Sequence, residues 1–348
     1  MRLLPSAGVR DDTEREEAHA VERLIGSALV TIISVAFESA EVLPEFVSAA
    51  AEAMPTAEIL IVDNGSTDGG VGLVATHPQV RVVRSEVNLG FGRACNLGAT
   101  HARGRLLVFA NPDLRLVRCD LTDVISGESV GFVAGAVFDE MGRPMPSLCR
   151  DRGRVRSWYL EVLGRLRLPG LPRSRRQVSR RPGYPNGALC VADAEEFRRV
   201  GGFDPRYFLF HEDRDIAKRY REAGLPLQFV RGVAGHHLHG SSSSASWSIA
   251  RQGWSIISWL EYTGIWDGPE RSNRLFRWVI GQLGVLAGIA MNIARLGVMP
   301  DAWRKKGGEY QALRNWMLEF DRHLPVGVDG LYPHALSALN RYRAEGAR

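Results

Sequence analysis

Four short apolar runs, the first three each followed by a polar turn and a helix-like stretch, dominate the first third of this chain. Leu29–Ser34 (LVTIIS), Glu58–Val62 (EILIV), Val80–Arg84 and Arg105–Ala110 (RLLVFA) have strand length and are rich in β-branched and aliphatic residues. Helix-like segments at 41–53 (with Pro44 in the first turn), 69–76 and 91–102 lie among them. Apolar strands that alternate with helices imply a mostly parallel sheet covered on both faces. Ligands bind such sheets outside the carboxyl ends of the strands. Asp63 and Asp113 each stand just past such an end. The pattern therefore predicts two carboxylates facing one crevice.

From about residue 130 the strands shorten (Phe132–Val137, Leu189–Val191, Leu227–Val230) and an Arg-rich segment, 150–181, interrupts them. Helices are expected over 193–200 and 212–223, and from 245 onward the chain reads as mostly helical. The expected organisation is a polar leader at 1–27, an α/β domain at 28–242 carrying the 150–181 insertion, and a helical, membrane-associating region at 243–348.

Several segments carry groups suited to a sugar nucleotide. Asp63–Asp68 (DNGSTD) is a dense turn in which a strand-end Asp can accept from a base N–H or a ribose hydroxyl; a plain Asx turn is the other reading. Asn88–Gly92, followed by Asn96, is a Gly-rich turn that opens a helix, where backbone can approach a ligand or simply cap. Asp113 can supply one oxygen to a Mg²⁺ or Mn²⁺ ion bridging a diphosphate, and Asn111 stands where a second carboxylate would strengthen that site. In a helix starting at Glu212, Asp213 shares an otherwise apolar stripe with Ile216, Ala217 and Tyr220, so it is expected to point inward. Asp215, four residues before Arg219, reads as half of a surface ion pair. His236, His237 and His239 offer an imidazole for metal or diphosphate.

Taken in order, SVAFES, IVDNGSTD, NLGFGRACNLG, LLVFANPD, NGALCV, VGGFDPRYFLFHEDRD and HLHGSS resemble segments of family-2 glycosyltransferases, particularly the bacterial rhamnosyltransferase-like branch. The resemblance covers roughly residues 28–242. It implies an α/β fold of GT-A type: a Rossmann-like, mostly parallel sheet flanked by helices, here with a C-terminal helical appendage. It implies nucleotide binding at Ala36, Phe37, Glu38 and Asp63, with Asn64, Asn88 and Gly90 beside them. It places the metal–diphosphate carboxylate at Asp113, the later metal-site His at His237, and the general base at Asp213. Asn186 and Gly187 fall on the floor of the sugar site, with Glu212 beside the acceptor. Glu38 stands where Asn is frequent, which leaves base selection open.

The implied activity is inverting transfer of a sugar, plausibly L-rhamnose from dTDP-rhamnose, from a dTDP- or UDP-sugar to a saccharide or lipid-linked acceptor. A divalent cation is the expected cofactor. A non-catalytic sugar-nucleotide or glycan-binding module is the alternative, and the co-occurrence of Asp63, Asp113 and Asp213 argues against it.

Charge and tail add a location. The net charge is +5, and the only lysines are Lys218, Lys305 and Lys306. Residues 150–181 hold eleven arginines interleaved with Trp158 and Tyr159, a composition suited to an anionic membrane surface. No nucleic-acid-binding motif accompanies it, and no nucleic-acid partner is expected. Residues 278–294 are seventeen without charge, flanked by Arg274, Arg277 and Arg295. That is short for a span, which needs about 20 apolar residues. A core or interfacial helix is the expectation, with Gly284 and Gly288 permitting close packing. Residues 11–23 are too charged for a signal core, and the four cysteines have no metal-ligand spacing. The protein is expected in the cytoplasm, peripheral at the inner face of the membrane.

Overall fold

The computed structural model describes residues 30–125, 129–149, 183–237, 245–295 and 300–321. The leader, the Arg-rich insertion and His239 lie outside these residues.

Eight strands form one sheet. They are β1 (Val30–Ala36), β2 (Glu58–Asn64), β3 (Val80–Ser85), β4 (Leu106–Ala110), β5 (Leu114–Cys119), β6 (Phe132–Phe138), β9 (Leu189–Asp193) and β10 (Leu227–His237), in the spatial order β3-β2-β1-β4-β9-β6-β10-β5. A two-stranded ribbon pairs β7 (Leu148–Cys149) with β8 (Tyr184–Pro185). β1 pairs in parallel with β2 and β4, β2 with β3, and β6 with β10. β9 runs antiparallel to both β4 and β6, and β5 antiparallel to β10.

The continuous apolar runs arise because the central strands are covered on both sides. Alternate residues of β1 enter different clusters. Ile32 joins Ile61, Val108 and, from helix α1 (Leu43–Ala53), Phe46 and Ala50. Ile33 joins Leu60, Phe109 and, from α3 (Phe91–His101), Ala94 and Cys95. The second face is completed by Phe203 and by Ile216 and Tyr220 of α6 (Glu212–Glu222). Short helices α2 (Gly70–Val74), α4 (Thr122–Ile125) and α5 (Ala194–Arg199) fill the connections.

Two features differ from the sequence expectation. β5 is an additional strand; it alternates buried Leu114 and Leu116 with exposed Arg115, Val117 and Arg118, as a half-covered edge strand should. β10 runs past Val230 to His237, its register shifting between Phe229 and Ala234. Gly232 and Gly235 interrupt its apolar pattern, yet each lies tight against β5 or the residue after it: a Cβ on Gly235 would overlap Leu114, and one on Gly232 the Asp120 carbonyl. His236 and His237 are therefore strand residues.

Strand direction decides where the chemistry collects. The carboxyl ends of β1, β2, β4 and β10 and the amino ends of the antiparallel β5 and β9 share one edge. Ala36, Asp63, Asp113, Gly187 and His237 all belong to it.

Beyond the sheet, α7 (Ala245–Asp267), α8 (Pro269–Arg295) and α9 (Pro300–Asp321) form the helical appendage. One side of α8 buries Val279, Leu283, Ala287 and Ala290, while Val285, Ile289 and Met291 are exposed. Of its two candidate packing glycines, Gly284 lies close to α9, where a Cβ would sit 3.2 Å from Arg314 Nε. A Cβ on Gly288 would meet nothing within 4 Å among the described residues, so no close packing is seen there, contrary to expectation. By length and composition alone Glu270–Asn292 suffices to cross a membrane, although one such helix is weak ground for a span.

Candidate active site at the carboxyl edge of the sheet

The first part of the site is the pair of loops after β1 and β2. Phe37 and Glu38 leave β1 with Glu38 in the left-handed region (φ 50°). Ser66 Oγ donates to the Ala36 carbonyl at 3.2 Å and accepts from Glu38 N at 3.3 Å. Thr67 N and Oγ1 both donate to Glu38 Oε1 at 3.0 Å, and Ala40 N donates to Asp68 Oδ2 at 2.7 Å. The DNGSTD turn is thus stitched to the β1 loop, and Asp63 lies at its base. Asp63 Oδ1 accepts from Ser66 N at 3.0 Å, and Oδ2 lies 3.6 Å from Arg84 Nε.

Asn64, Asn88 and Gly90 form an internal brace in this loop cluster. The buried Asn64 amide donates to Asn88 Oδ1 at 3.0 Å and to the Gly90 carbonyl at 3.4 Å, and accepts from Leu89 N at 2.8 Å. These contacts orient the Gly-rich turn and leave the Asn64 side chain facing protein. Gly90 (φ 82°) has no room for a Cβ against the Phe208 carbonyl, which accepts from Phe91 N at 2.9 Å. The first turn of α3 is therefore docked onto the segment that leads into α6.

The second part lies between β4 and β5. Asp113 precedes β5, and the β5–β10 register sets Leu114 opposite His237. His237 Nε2 comes within 3.4 Å of Asp113 Oδ1, an oxygen that is closed to solvent and has no hydrogen-bond partner among the described residues. A buried carboxylate oxygen without a donor is costly unless a cation or proton meets it. Carboxylate and imidazole side by side fit a Mg²⁺- or Mn²⁺-type ion. Among the described residues no group of three or more potential ligands gathers. Among the described residues Asp113 and His237 are the two side chains that could ligate such an ion, and further oxygen ligands would complete the shell, as hard cations accept. His236 is placed differently: its Nδ1 lies 3.2 Å from the Asp139 carbonyl and its ring 5.6 Å from Phe138.

The third part is the start of α6. Phe210 (φ 71°) and His211 (φ 66°) are consecutive left-handed residues with side chains, each costing about 1–3 kcal/mol. They turn the chain so that Asp213 meets Gly187, whose N–H donates to Asp213 Oδ2 at 3.3 Å, while Arg214 N donates to Oδ1 at 2.7 Å. Asn186, just before, is held through its amide to the Pro146 carbonyl at 3.3 Å. Asn111 N donates to the Ala188 carbonyl at 3.1 Å, tying the Asp113 turn to the Gly187 turn. Asp113 and Asp213 thus face the same edge. β2, which carries Asp63 next to its last residue, lies two strands from β4, roughly 10 Å along the sheet.

The inward stripe expected along α6 is only partly observed. Ile216, Ala217 and Tyr220 are fully buried as expected, but Asp213 is half-buried at the rim. Asp215 is no surface ion pair: it is 0% exposed. Its carboxylate accepts from Arg219 Nε at 2.8 Å and from Trp266 Nε1 of α7 at 2.9 Å. Glu212 is buried as well, its Cβ close to the Gly92 position of α3, so it backs the site from the interior. Burial pushes the Glu212 carboxyl well above its ordinary value, and the neighbouring Asp213 adds to the rise. Burial also raises the Asp213 carboxyl, opposed by the N–H groups of Arg214 and Gly187.

Residues 31–126 match the family Glycosyl transferase family 2. The chain carries a family-2 glycosyltransferase domain. It is 29% identical over 244 residues to the N-acetylglucosaminyl-diphospho-decaprenol L-rhamnosyltransferase of Mycobacterium tuberculosis, covering 61% of this chain and 78% of that protein. Among solved structures it is similar to the mannosyltransferase PcManGT of Pyrobaculum calidifontis in complex with GDP-Man and Mn²⁺ (TM-score 0.46, 16% identity, 83% of this chain and 86% of that one). It is also similar to residues 1–349 of TarS from S. aureus (TM-score 0.45, 14% identity, 87% and 95%). The fold expected from sequence, a mostly parallel sheet flanked by helices, is the one observed, and the glycosyltransferase is a sugar-transferring enzyme.

What sequence reasoning missed in the glycosyltransferase site is the contribution of α7. Trp266 and its neighbours carry no motif, and only the fold brings them beneath α6.

The buried Glu212 generates a pH prediction. Its folded carboxyl titrates above its unfolded one, so its neutral form favours folding. That contribution is complete below the unfolded value of about 4.5 and is lost as pH rises toward the elevated folded value. Glu212→Gln keeps a neutral side chain at every pH. Thermal melts should therefore show the variant gaining on the parent between pH 5 and pH 8; a difference in melting temperature that stays constant with pH would contradict the assignment.

Proposed function

We propose that this enzyme is an inverting transferase that moves L-rhamnose from dTDP-rhamnose to a saccharide carried on a polyprenyl diphosphate, in cell-wall or surface-polysaccharide assembly. The single observation that carries the mechanism is the half-buried Asp213 carboxylate, held by the Gly187 and Arg214 N–H groups on the edge that also carries Asp113. Rhamnose and the lipid-linked acceptor follow the name of the mycobacterial relative, and dTDP follows the sequence resemblance; UDP-sugars, and galactofuranose, glucose or another hexose, are the competing donors.

In this reading the loops at Ala36–Glu38 and Asp63–Asp68 hold the nucleoside, and Asn186 and Gly187 form the floor beneath the transferred sugar. Asp113 and His237 would hold a Mg²⁺ or Mn²⁺ ion, which when bound neutralises charge on the diphosphate. The acceptor hydroxyl gives its proton to Asp213 as its oxygen bonds to the anomeric carbon. The bond from that carbon to the diphosphate oxygen breaks, and the nucleoside diphosphate leaves with the electron pair. One displacement inverts the configuration. A base raised above the ordinary carboxylate range is better matched to this task near neutral pH.

The exposed side of α8 supports attachment to an anionic membrane surface. Val285 and Ile289 form an apolar strip, and exposed Arg274, Arg277 and Arg295 flank it. Val285→Asp with Ile289→Asp should release the protein from phosphatidylglycerol vesicles in a sedimentation assay; undiminished binding would remove this surface from the proposal.

The activity test uses dTDP-rhamnose with a synthetic N-acetylglucosaminyl-diphosphate lipid. Asp213→Asn should lower turnover by about 10²–10⁴, the range for loss of general-base catalysis, while dTDP still binds. Undiminished turnover in that variant would rule out the assigned base.

A further inference from the structure

The segment leading into α6 adopts a conformation that its own sequence disfavours. Phe210 and His211 are both left-handed without being glycine, and Asp213 follows within three residues. Such a turn persists only where its surroundings over-determine it. Helix α7, about fifty residues further along the chain, supplies those surroundings. Ser258 Oγ donates to the Leu209 carbonyl at 2.7 Å, immediately before the turn. Trp254 stacks on Phe208 with ring centroids 4.4 Å apart, and Tyr262 lies 6.2 Å from the His211 ring.

The contacts continue past the turn. The Arg214 guanidinium carbon, next to Asp213, lies 4.3 Å from the Tyr262 ring centroid, and Lys218 Nζ lies 3.4 Å from that of Trp266. Trp266 Nε1 donates to the buried Asp215 at 2.9 Å. Asp215 in turn holds Arg219, whose Nη1 donates to the carbonyls of Val200 and Gly202 at 2.6 Å. Ser258 and Trp266 therefore hold the chain on either side of Asp213, one at Leu209 before α6 and the other at the buried Asp215 within it. Neither lies on the nucleotide loops.

We propose that Ser258 and Trp266 are positioning residues for the transfer reaction: from α7 they fix the Leu209–Asp215 segment so that Asp213 is held at the acceptor side of the cleft. The helical appendage is then part of the catalytic apparatus as well as a packing partner. This inference rests on Asp213 being the base.

Two substitutions in the full-length protein test it. Ser258→Ala removes the bond to the Leu209 carbonyl, and Trp266→Phe removes the bond to Asp215 while keeping an aromatic ring. Hydrogen exchange needs no substrate: amides of residues 208–215 should exchange at least tenfold faster in each variant, while those of β1 and β2 keep their parental rates. Unchanged exchange in 208–215 overturns the proposal. With dTDP-rhamnose and the N-acetylglucosaminyl-diphosphate lipid, each variant should lose about tenfold in kcat with its dissociation constant for dTDP unaltered. Parental kcat in both variants overturns the proposal, as does a loss of dTDP affinity in step with kcat, which would mark general destabilisation. Asp213→Asn in parallel separates the two levels. If it abolishes turnover while the α7 variants remain fully active, the base assignment stands and the positioning role falls. If Asp213→Asn itself retains turnover, the base assignment falls first.

Discussion

The common polarity of the strands governs where this molecule can do chemistry. Six of the eight point the same way, and the two reversed strands, β5 and β9, enter the sheet from the edge at which the others leave it. Turns separated by up to two hundred residues of sequence therefore converge without any long excursion. The turns at Ala36–Glu38 and Asp63–Asp68 leave from β1 and β2, the Asp113 turn joins β4 to β5, and the Gly187 turn leads into β9. A reversed β9 matters most. Its pairing with β4 sets Leu189 beside Ala110, so that the Gly187 backbone stands between Asp113 on one side and Asp213 on the other.

Around that edge, carboxylates are differentiated by their surroundings. Asp215 is buried but saturated with donors, and it serves architecture. Glu212 is buried with one oxygen lacking a partner among the described residues, and burial keeps it protonated more readily than an exposed Glu. Asp213 stands between them, at the rim, with two backbone donors to stabilise its anion and enough desolvation to raise its basicity. Three acidic residues in one helical turn thus have three physical roles, and the roles follow from what each side chain faces.

Much of this was legible in the sequence, for identifiable reasons. β1, β2 and β4 announce themselves because strands covered on both faces are apolar throughout, and the turns after them announce themselves through Asp, Asn and Gly. β5 did not, because an edge strand with outward Arg115 and Arg118 lacks a continuous apolar signal. The end of β10 did not, because glycines that permit close strand contact also erase its pattern; the pairing of His237 with Asp113 was implied by the family resemblance alone. Asp215 was misjudged because helical periodicity describes one helix and cannot see the second helix that covers it. Trp266, which donates to the buried Asp215, is fifty-one residues away in sequence. The Asn64 brace is another case: the tight turn was readable, but its partners on the Asn88–Gly90 loop were not.

The central claim is spatial: the carboxylates of Asp63, Asp113 and Asp213 address one bound sugar nucleotide. Anomalous scattering from crystals grown with dTDP and Mn²⁺ tests it most directly. The account predicts a Mn²⁺ peak in contact with Asp113 and His237, with the nucleoside lying along the Asp63 side and the diphosphate reaching toward Gly187 and Asp213. A manganese peak away from Asp113, or a nucleotide seated on another face of the sheet, would contradict it.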